Sequence, residues 1–384
     1  MTDTARAPRA FLYVQHLLGI GHLARSSRVA DALVADGFAV TVVTGGTPVA
    51  GFPGPKVDHI ALPTIAAGDA GFSGLVDDQG HAVDEAFKAR RCDLLLAAYV
   101  ACRPDAVVIE AFPFGRRQVR FELMPLLRAI HSTNPRPRVV CSLRDILQER
   151  AKPGRDEESV ALVKEYFDLV LVHGDPAFMR LEDTFALADQ ISDRIAYSGL
   201  VAAPPPAPVS DRFDVVVSAG GGAVGMDLIR AASEAARRLP DDLTWCLITG
   251  PNLPQADFDG VVATASPHVT VVRFRKDFPG LIANARLSVS QAGYNTVCDV
   301  LRARCRCLLV PFATGGETEQ TARAERLTRL GLAGVLDEQS LSAATMTAAV
   351  RKALDAPEPP LFPLGLEGAT QSARIIRKLL GQAG

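Results

Sequence analysis

The sequence predicts an α/β protein built as two Rossmann-like domains whose parallel sheets face each other across a cleft. Three observations predict it. Short β-branched or apolar runs alternate with helical patterns along the chain, as βαβ units and a buried parallel sheet require. The alternation breaks at 198–210, SGLVAAPPPAPVS, where three consecutive prolines read as a stiff, extended joint. It then restarts, and 384 residues with 48% apolar content suit two cores better than one. The domains so predicted are 1–203 and 204–384, the last helix being able to pack back on the first domain.

In the first domain, 11–15 is a strand and 23–36 a helix. Gly37 closes that helix, because a left-handed C-terminal cap costs glycine least. Residues 39–43 form the second strand. A long helix is expected over 82–102, a strand over 106–109 ending at Glu110, and two more strands over 139–142 and 169–172. Residues 69–84, DAGFSGLVDDQGHAVD, read as a polar Gly-rich loop. In the second domain, 213–218 is a strand, 220–222 a turn and 226–238 a helix. Strands follow at 244–248 and 269–272, then a short helix at 277–284. The stretch 289–320 supplies a strand, a turn, a helix, a buried strand and a Gly-rich loop bearing acids and amides. Helices near 318–330, 343–354 and 371–380 complete the chain.

Charge is nearly balanced, with 41 basic and 43 acidic residues. No field of one sign is available to draw nucleic acid, so that partner is disfavoured. Seven cysteines, odd in number and scattered, predict reduced thiols buried as small hydrophobes in a cytoplasmic protein. Cys305 and Cys307 lack metal-ligand spacing. The lead MTDTARAPRA has no apolar h-region, and no apolar run approaches the ~20 residues that span a bilayer. Arg116, Arg117 and Arg120, after Phe112-Pro113-Phe114, leave room for a weak peripheral contact at the inner membrane face. A solvated helix start is the plainer reading.

The first strand runs into QHLLGIGH. Gly19 and Gly21 let a ligand approach the backbone closely. The third glycine of a dinucleotide fingerprint is missing and no ribose-binding acid follows, which disfavours NAD. His22 opens a helix, where the dipole lowers its pKa and keeps the ring neutral, as a general base needs. The plainer role is a capping histidine. Glu110 is the second candidate base, since a carboxylate in a partly dry cleft has its pKa raised. Ser218, Gly220, Gly221 and Gly222 form the first strand-to-helix turn of the second domain, suited to a diphosphate. No Walker lysine follows, so ATP hydrolysis is disfavoured. Amides at Gly293, Tyr294, Asn295 and Thr296 open another helix, and Asp299 lies about one turn in, where carboxylates commonly bind ribose. Arg144-Asp145 and His173-Gly174-Asp175-Pro176 also follow strands, and with Glu110 and the 69–84 loop they are placed on the acceptor side.

GIGHLARSSRVADALVADGFAVTVVTGG resembles the N-terminal turn of the GT-B glycosyltransferases, especially the MurG-like family that adds N-acetylglucosamine to lipid I. The second half resembles that family's donor-binding domain, family 28, more closely. AGYNTVCDVL stands where the family has small-Gly-x-x-Thr-x-x-Glu, and VPFATGGETEQTARAERL where it has Pro-Phe, a loop and paired amides. PFGRRQVRFEL resembles a bacterial group of predicted glycosyltransferases. The resemblance implies a GT-B hexosyltransferase using a UDP-hexose or UDP-N-acetylhexosamine and a hydroxyl acceptor that it does not identify. It puts Asp299 on ribose hydroxyls, Glu319 and Gln320 on sugar hydroxyls, Gly316 and Glu317 in the same loop, and Phe274 near the uracil ring. Glu319 departs from the family's glutamine and can only accept hydrogen bonds, which bears on N-acetylglucosamine as donor. No Asp-x-Asp motif ends a strand, so neither a metal nor a cofactor beyond the nucleotide sugar is expected. GIGHLAR also resembles the start of a UDP-sugar hydrolase of the same fold. An epimerase would need further carboxylates, and a non-catalytic sugar-nucleotide binding protein is the alternative from another class.

Overall fold

The computed structural model describes residues 6–17, 21–68, 74–148, 153–220, 225–314 and 316–381. It divides into two compact units, one of Met1–Val201 with Gly365–Gly384 and one of Ala202–Leu364.

The first unit runs β1 (Arg9–Val14), α1 (Gly21–Ala35), β2 (Ala39–Thr44), β3 (Asp58–Ala61), β4 (Ala66–Ala67), β5 (Leu75–Val76), α2 (Glu85–Cys102) and β6 (Ala106–Glu110). It continues through α3 (Arg120–His131), β7 (Arg138–Arg144), α4 (Arg155–Tyr166), β8 (Leu169–His173) and β9 (Ile195–Tyr197). Among the described residues the main sheet has the order β3-β2-β1-β6-β7-β8-β9, with β1 paired in parallel to both β2 and β6. All five residues of β6 and of β8 are buried, as strands covered on both faces must be. One face packs through Phe11, Val107, Leu123 and Leu127. The other packs through Leu12, Val29 and Leu33, together with Ala373 and Ile376.

Those last two residues belong to a helix from the far end of the chain, Gly368–Leu379, which packs on α1. Arg377 Nε donates to Asp36 Oδ2 at 2.6 Å, and Leu200 N to Gly365 O at 2.7 Å. A Cβ on Gly199, at φ +78, would stand 2.7 Å from Gly365 O. Residues 198–201 are therefore built into the first unit; the expectation that the joint begins at Ser198 is corrected. Two local boundaries also differ from expectation. Asp84 caps α2 by accepting Phe87 N at 2.7 Å, which starts the helix at Glu85 and not at 82. Within the expected 69–84 loop, β5 pairs antiparallel with β4, while residues 69–73 lie outside the described residues.

The second unit runs β10 (Val215–Ser218), α5 (Met226–Ala236), β11 (Trp245–Ile248), α6 (Gln255–Thr264), β12 (Val269–Val272), α7 (Phe278–Asn284) and β13 (Leu287–Ser290). Then come α8 (Tyr294–Ala303), β14 (Cys307–Leu309), α9 (Glu319–Arg329), β15 (Gly334–Val335) and α10 (Ala343–Leu354); the returning helix of the first unit is α11. The sheet order is β12-β11-β10-β13-β14-β15. Its core includes Trp245, Val217, Val289, Ile229 and Met346. In both sheets successive strands run outward from the first strand, then resume on its other side. That reversal, at β1/β6 and at β10/β13, opens a crevice at the strands' C-terminal ends, where ligands of open α/β sheets bind.

Candidate active site

At the β1/β6 reversal the structure brings His22 and Glu110 together. His22 is the second residue of α1 and Glu110 the last of β6. Their Nδ1 and Oε1 atoms are 3.0 Å apart. Arg25 lies one turn along α1, on the same helical face. Its Nη2 donates to Glu110 Oε1 and stands 3.3 Å from His22 Nδ1. An ionised carboxylate only accepts, so the His22–Glu110 contact needs the proton on Nδ1. The lone pair is then on Nε2, the nitrogen away from Glu110.

A buried chain of hydroxyls and imidazole extends from the carboxylate. Ser142 Oγ donates to Glu110 Oε2 at 2.5 Å and lies 2.9 Å from His173 Nε2. The pairing of β6 with β7 and β7 with β8 sets this up, putting Glu110 opposite Ser142 and Arg144 opposite His173. With its one proton given to Glu110, Ser142 must accept from His173 Nε2–H. His173 Nδ1 is then the acceptor side, 3.0 Å from Ser198 Oγ and 3.4 Å from Ser372 Oγ of α11.

The electrostatics separate the partners. Burial, then the charge of Arg116, pull His22 down to about 3, against the opposing pull of Glu110. Burial alone would raise Glu110. The charge of Arg25 and the bonds from His22 and Ser142 outweigh it and hold the carboxyl well below its usual range. The expected upward shift of Glu110 is thus corrected: it is a permanently ionised partner, and His22 is the group with an available lone pair. Ala111 and Arg116, just beyond Glu110, have φ values of 64° and 57°. Left-handed backbone costs a non-glycine residue about 1–2 kcal/mol, and such strain gathers at functional sites.

Other sequence-marked groups of this unit are differently placed. Arg117 and Arg120 both pair with Glu158 of α4, two cations sharing one carboxylate. No helix among the described residues is long and apolar enough to cross a membrane. Gly21 begins α1, and Gly19 lies outside the described residues.

At the β10/β13 reversal, Ser218 and Ser290 end neighbouring strands in register. Gly220 turns the chain at φ +77, with the Gln291 amide oxygen 3.2 Å from where a Cβ would be; Gly221 and Gly222 lie outside the described residues. Gly293 precedes α8, and a Cβ there would meet open space. The first-turn residues Asn295 and Thr296, and Asp299 beyond them, are half-buried. A helix start with no acid of its own in its first turn favours an incoming anion. Phe274 is 62% exposed, leaving a ring face available for stacking.

Glu319 and Gln320 serve the scaffold. Gln320 Oε1 accepts the N–H groups of Ala292 at 2.9 Å and Phe312 at 3.2 Å, tying together the loops after β13 and β14. Glu319 is buried, and Arg323 Nη2 donates to it at 2.6 Å while Arg323 Nη1 donates to Ala292 O at 2.8 Å. The Arg323 guanidinium also lies over the buried Tyr294 ring, 5.8 Å from its centroid. Glu319, expected on a sugar hydroxyl, is ion-paired here through Oε1: a buried carboxylate needs a cation, and Arg323, four residues on, supplies it. Glu317 Oε1 accepts Glu319 N at 3.3 Å, and Gly316 is exposed at φ +81. Sequence reasoning missed Arg25, Ser142 and Arg323 as site residues. The i, i+3 and i, i+4 spacings of Arg25 and Arg323 were the available signal; Ser142 had none.

Residues 215–376 match the glycosyltransferase family 28 C-terminal domain. The structure of the calicheamicin glycosyltransferase CalG4 is similar over 98% of this chain and 96% of that one, at TM-score 0.61 and 18% identity. The chain has the GT-B fold and resembles the MurG-like glycosyltransferases. A UDP-N-acetylglucosamine–N-acetylmuramyl-(pentapeptide) pyrophosphoryl-undecaprenol N-acetylglucosamine transferase of an Exiguobacterium species is 30% identical over 144 residues, 36% of this chain. The chain thus spans 39% of that relative's length. The transferase of the same name from Pelobacter propionicus is 26% identical over 346 residues, 86% of this chain and 87% of that protein.

Proposed function

We propose that this GT-B protein transfers a hexosyl group from a UDP-linked donor to an acceptor hydroxyl in the cytoplasm, without a bound cation or further cofactor. The observation that carries the reading is the His22–Glu110 pair at the first sheet's reversal. His22 Nε2 takes the acceptor's hydroxyl proton. The freed oxygen bonds to the anomeric carbon as the bond from that carbon to the diphosphate breaks. Glu110 stabilises the imidazolium, in the manner of a buried carboxylate beside a catalytic histidine. UDP departs with its charge on first-turn amides of α8 and the glycine turn after β10, donors of a kind worth ~3–4 kcal/mol each. Asp299 holds the ribose, Phe274 stacks on the base, and the amide nitrogen of Gln320 is the group left for the sugar. The relatives' names favour UDP-N-acetylglucosamine as the first donor to try.

UDP release, measured with and without hydroxyl acceptors, tests the reading. Transfer requires that an acceptor raise the rate. Release at the same rate in its absence makes the protein a UDP-sugar hydrolase. His22→Ala should lower turnover by roughly 100- to 10,000-fold with UDP affinity unchanged; unchanged turnover would remove His22 from the chemistry.

A further inference from the structure

Among the groups around the His22–Glu110 pair, Arg116 has no use in the chemistry above. It sits at φ 57° at the head of a short turn, and its two basic neighbours in sequence, Arg117 and Arg120, are taken by Glu158. Arg116 instead acts electrostatically on His22, His16, Glu110, Arg25 and Arg144. Its Nε is buried without a partner, and its side chain makes no hydrogen bond or ion pair among the described residues. Glu110 does not satisfy it: Oε1 takes Arg25 and His22, and Oε2 takes Ser142. Asp145, beside Arg144 in the chain, accepts Ile146 N at 3.0 Å and acts on His173. Of the guanidiniums that act on Arg116, Arg25 is held by Glu110 and Arg144 has an interaction of its own, so the Arg116 side chain is the one still without a partner among the described residues.

We propose that Arg116 is an anion-binding subsite serving the His22 centre, and that the acceptor carries a carboxylate or phosphate near the hydroxyl it presents. The inference rests on the reading of His22 as the acceptor's base. A half-buried guanidinium without a partner is costly, and a two-oxygen anion matches its fork of N–H donors. A neutral acceptor would leave that cost in place in the complex, which is how a site built for a polar group rejects ligands lacking it. Burial and the like charges of Arg144 and Arg25 bring Arg116 down to about 10 despite the attraction of Glu110, as expected of a cation still wanting a counter-charge. An anion there would also relieve the second-largest influence depressing His22, so the acceptor would sharpen its own base.

The test is calorimetric titration of the full chain with inorganic phosphate, D-glucuronate and, as neutral control, D-glucose, each with and without saturating UDP. The expected result is binding of at least one anion in the presence of UDP, weakened about tenfold or more by Arg116→Gln and less by Arg116→Lys. Arg120→Gln, whose cation already has Glu158, should leave it unchanged. Whether phosphate or glucuronate binds tells which kind of acceptor group is read. Equal anion affinity in Arg116→Gln overturns the proposal, as does no binding of either anion to the parent protein at tens of millimolar. Displacement of the anion by UDP overturns it as well, by assigning Arg116 to the donor's diphosphate. Absence of UDP binding alongside Arg116-dependent anion binding would sink the donor reading and leave this subsite standing.

Discussion

Replacing His173 with asparagine should flatten the protein's loss of stability in mild acid. His173 is 0% exposed, and burial, then Arg25, bring it from 6.5 to about 3. A folded-state value below the unfolded one means that the neutral ring contributes stability that is complete above pH 6.5. That contribution is lost as pH falls toward 3, because only the unfolded chain takes up the proton. At pH 6.5 the unfolded ring is already half protonated, so between pH 6.5 and 4.5 its further proton uptake, which the folded ring does not share, amounts to about 2.3 kcal/mol at 1.36 kcal/mol per unit. The window sits above most carboxylate titration, and His22 contributes equally to both proteins. Asparagine does not titrate and can still donate to Ser142. The assay is urea unfolding of both proteins at pH 6.5 and 4.5, reading the difference of differences. His173→Asn should lose ~2–3 kcal/mol less than the parent between the two pH values. Equal losses would show that the imidazole is protonated or solvated in the native state, and the tautomer chain from Glu110 to α11 would fall with it.

Arg91 and Glu122 are both 0% exposed and joined at 2.6 Å, so Arg91→Met should cost about 3–5 kcal/mol by leaving a buried carboxylate unpaired. Arg91→Met with Glu122→Leu should recover much of this in thermal denaturation; no recovery would make packing the cause. Ile376→Ala on α11, at a fully buried position, should lower stability by ~2–5 kcal/mol, and a neutral result in urea unfolding would mean α11 is not docked on α1 in solution. Asp299→Ala should weaken UDP about tenfold or more. By calorimetry the variant should also be indifferent to loss of a ribose hydroxyl, and continued discrimination against deoxy-UDP would move the ribose elsewhere.

The parts legible in the sequence are those in which local pattern and tertiary role agree. β1, β2, β6 and β8 are apolar runs because parallel strands are covered on both faces, and their positions were readable to within a residue or two. β3, reading DHIA at the sheet's edge, has an exposed pattern and carries no such run. α4, RDEESVALVKEY, is polar enough to pass for loop; Val160, Val163 and Tyr166 are buried in the core cluster that also holds Val139 and Val170. The site divides in the same way. His22 and Glu110 were each readable as an acid–base group at the end of a strand or the start of a helix. Their union was not, because 88 residues separate them and their contact depends on β6 lying beside β1. The ion pair of Glu319 was unreadable for a related reason: register against a family fixes a position, whereas the direction of its carboxylate depends on Arg323 one helical turn away.

The same contacts decide which member of the pair is the base. A carboxylate that Arg25 holds ionised cannot take a proton at any working pH, so Glu110 acts through His22. Yet an imidazole brought down to about 3 is itself a weak proton acceptor, far from the near-neutral value at which general bases work best. At rest the pair is therefore under-powered, and water presented to it should be activated poorly. Two cations cause part of the depression, Arg25 and Arg116, and they differ in kind. Arg25 is locked to Glu110 and cannot be neutralised further; Arg116 has no partner. A substrate that supplies the missing negative charge removes Arg116's share and leaves Glu110's support of the imidazolium intact. Base strength then depends on occupancy, which would spare the donor from hydrolysis until the right acceptor is bound.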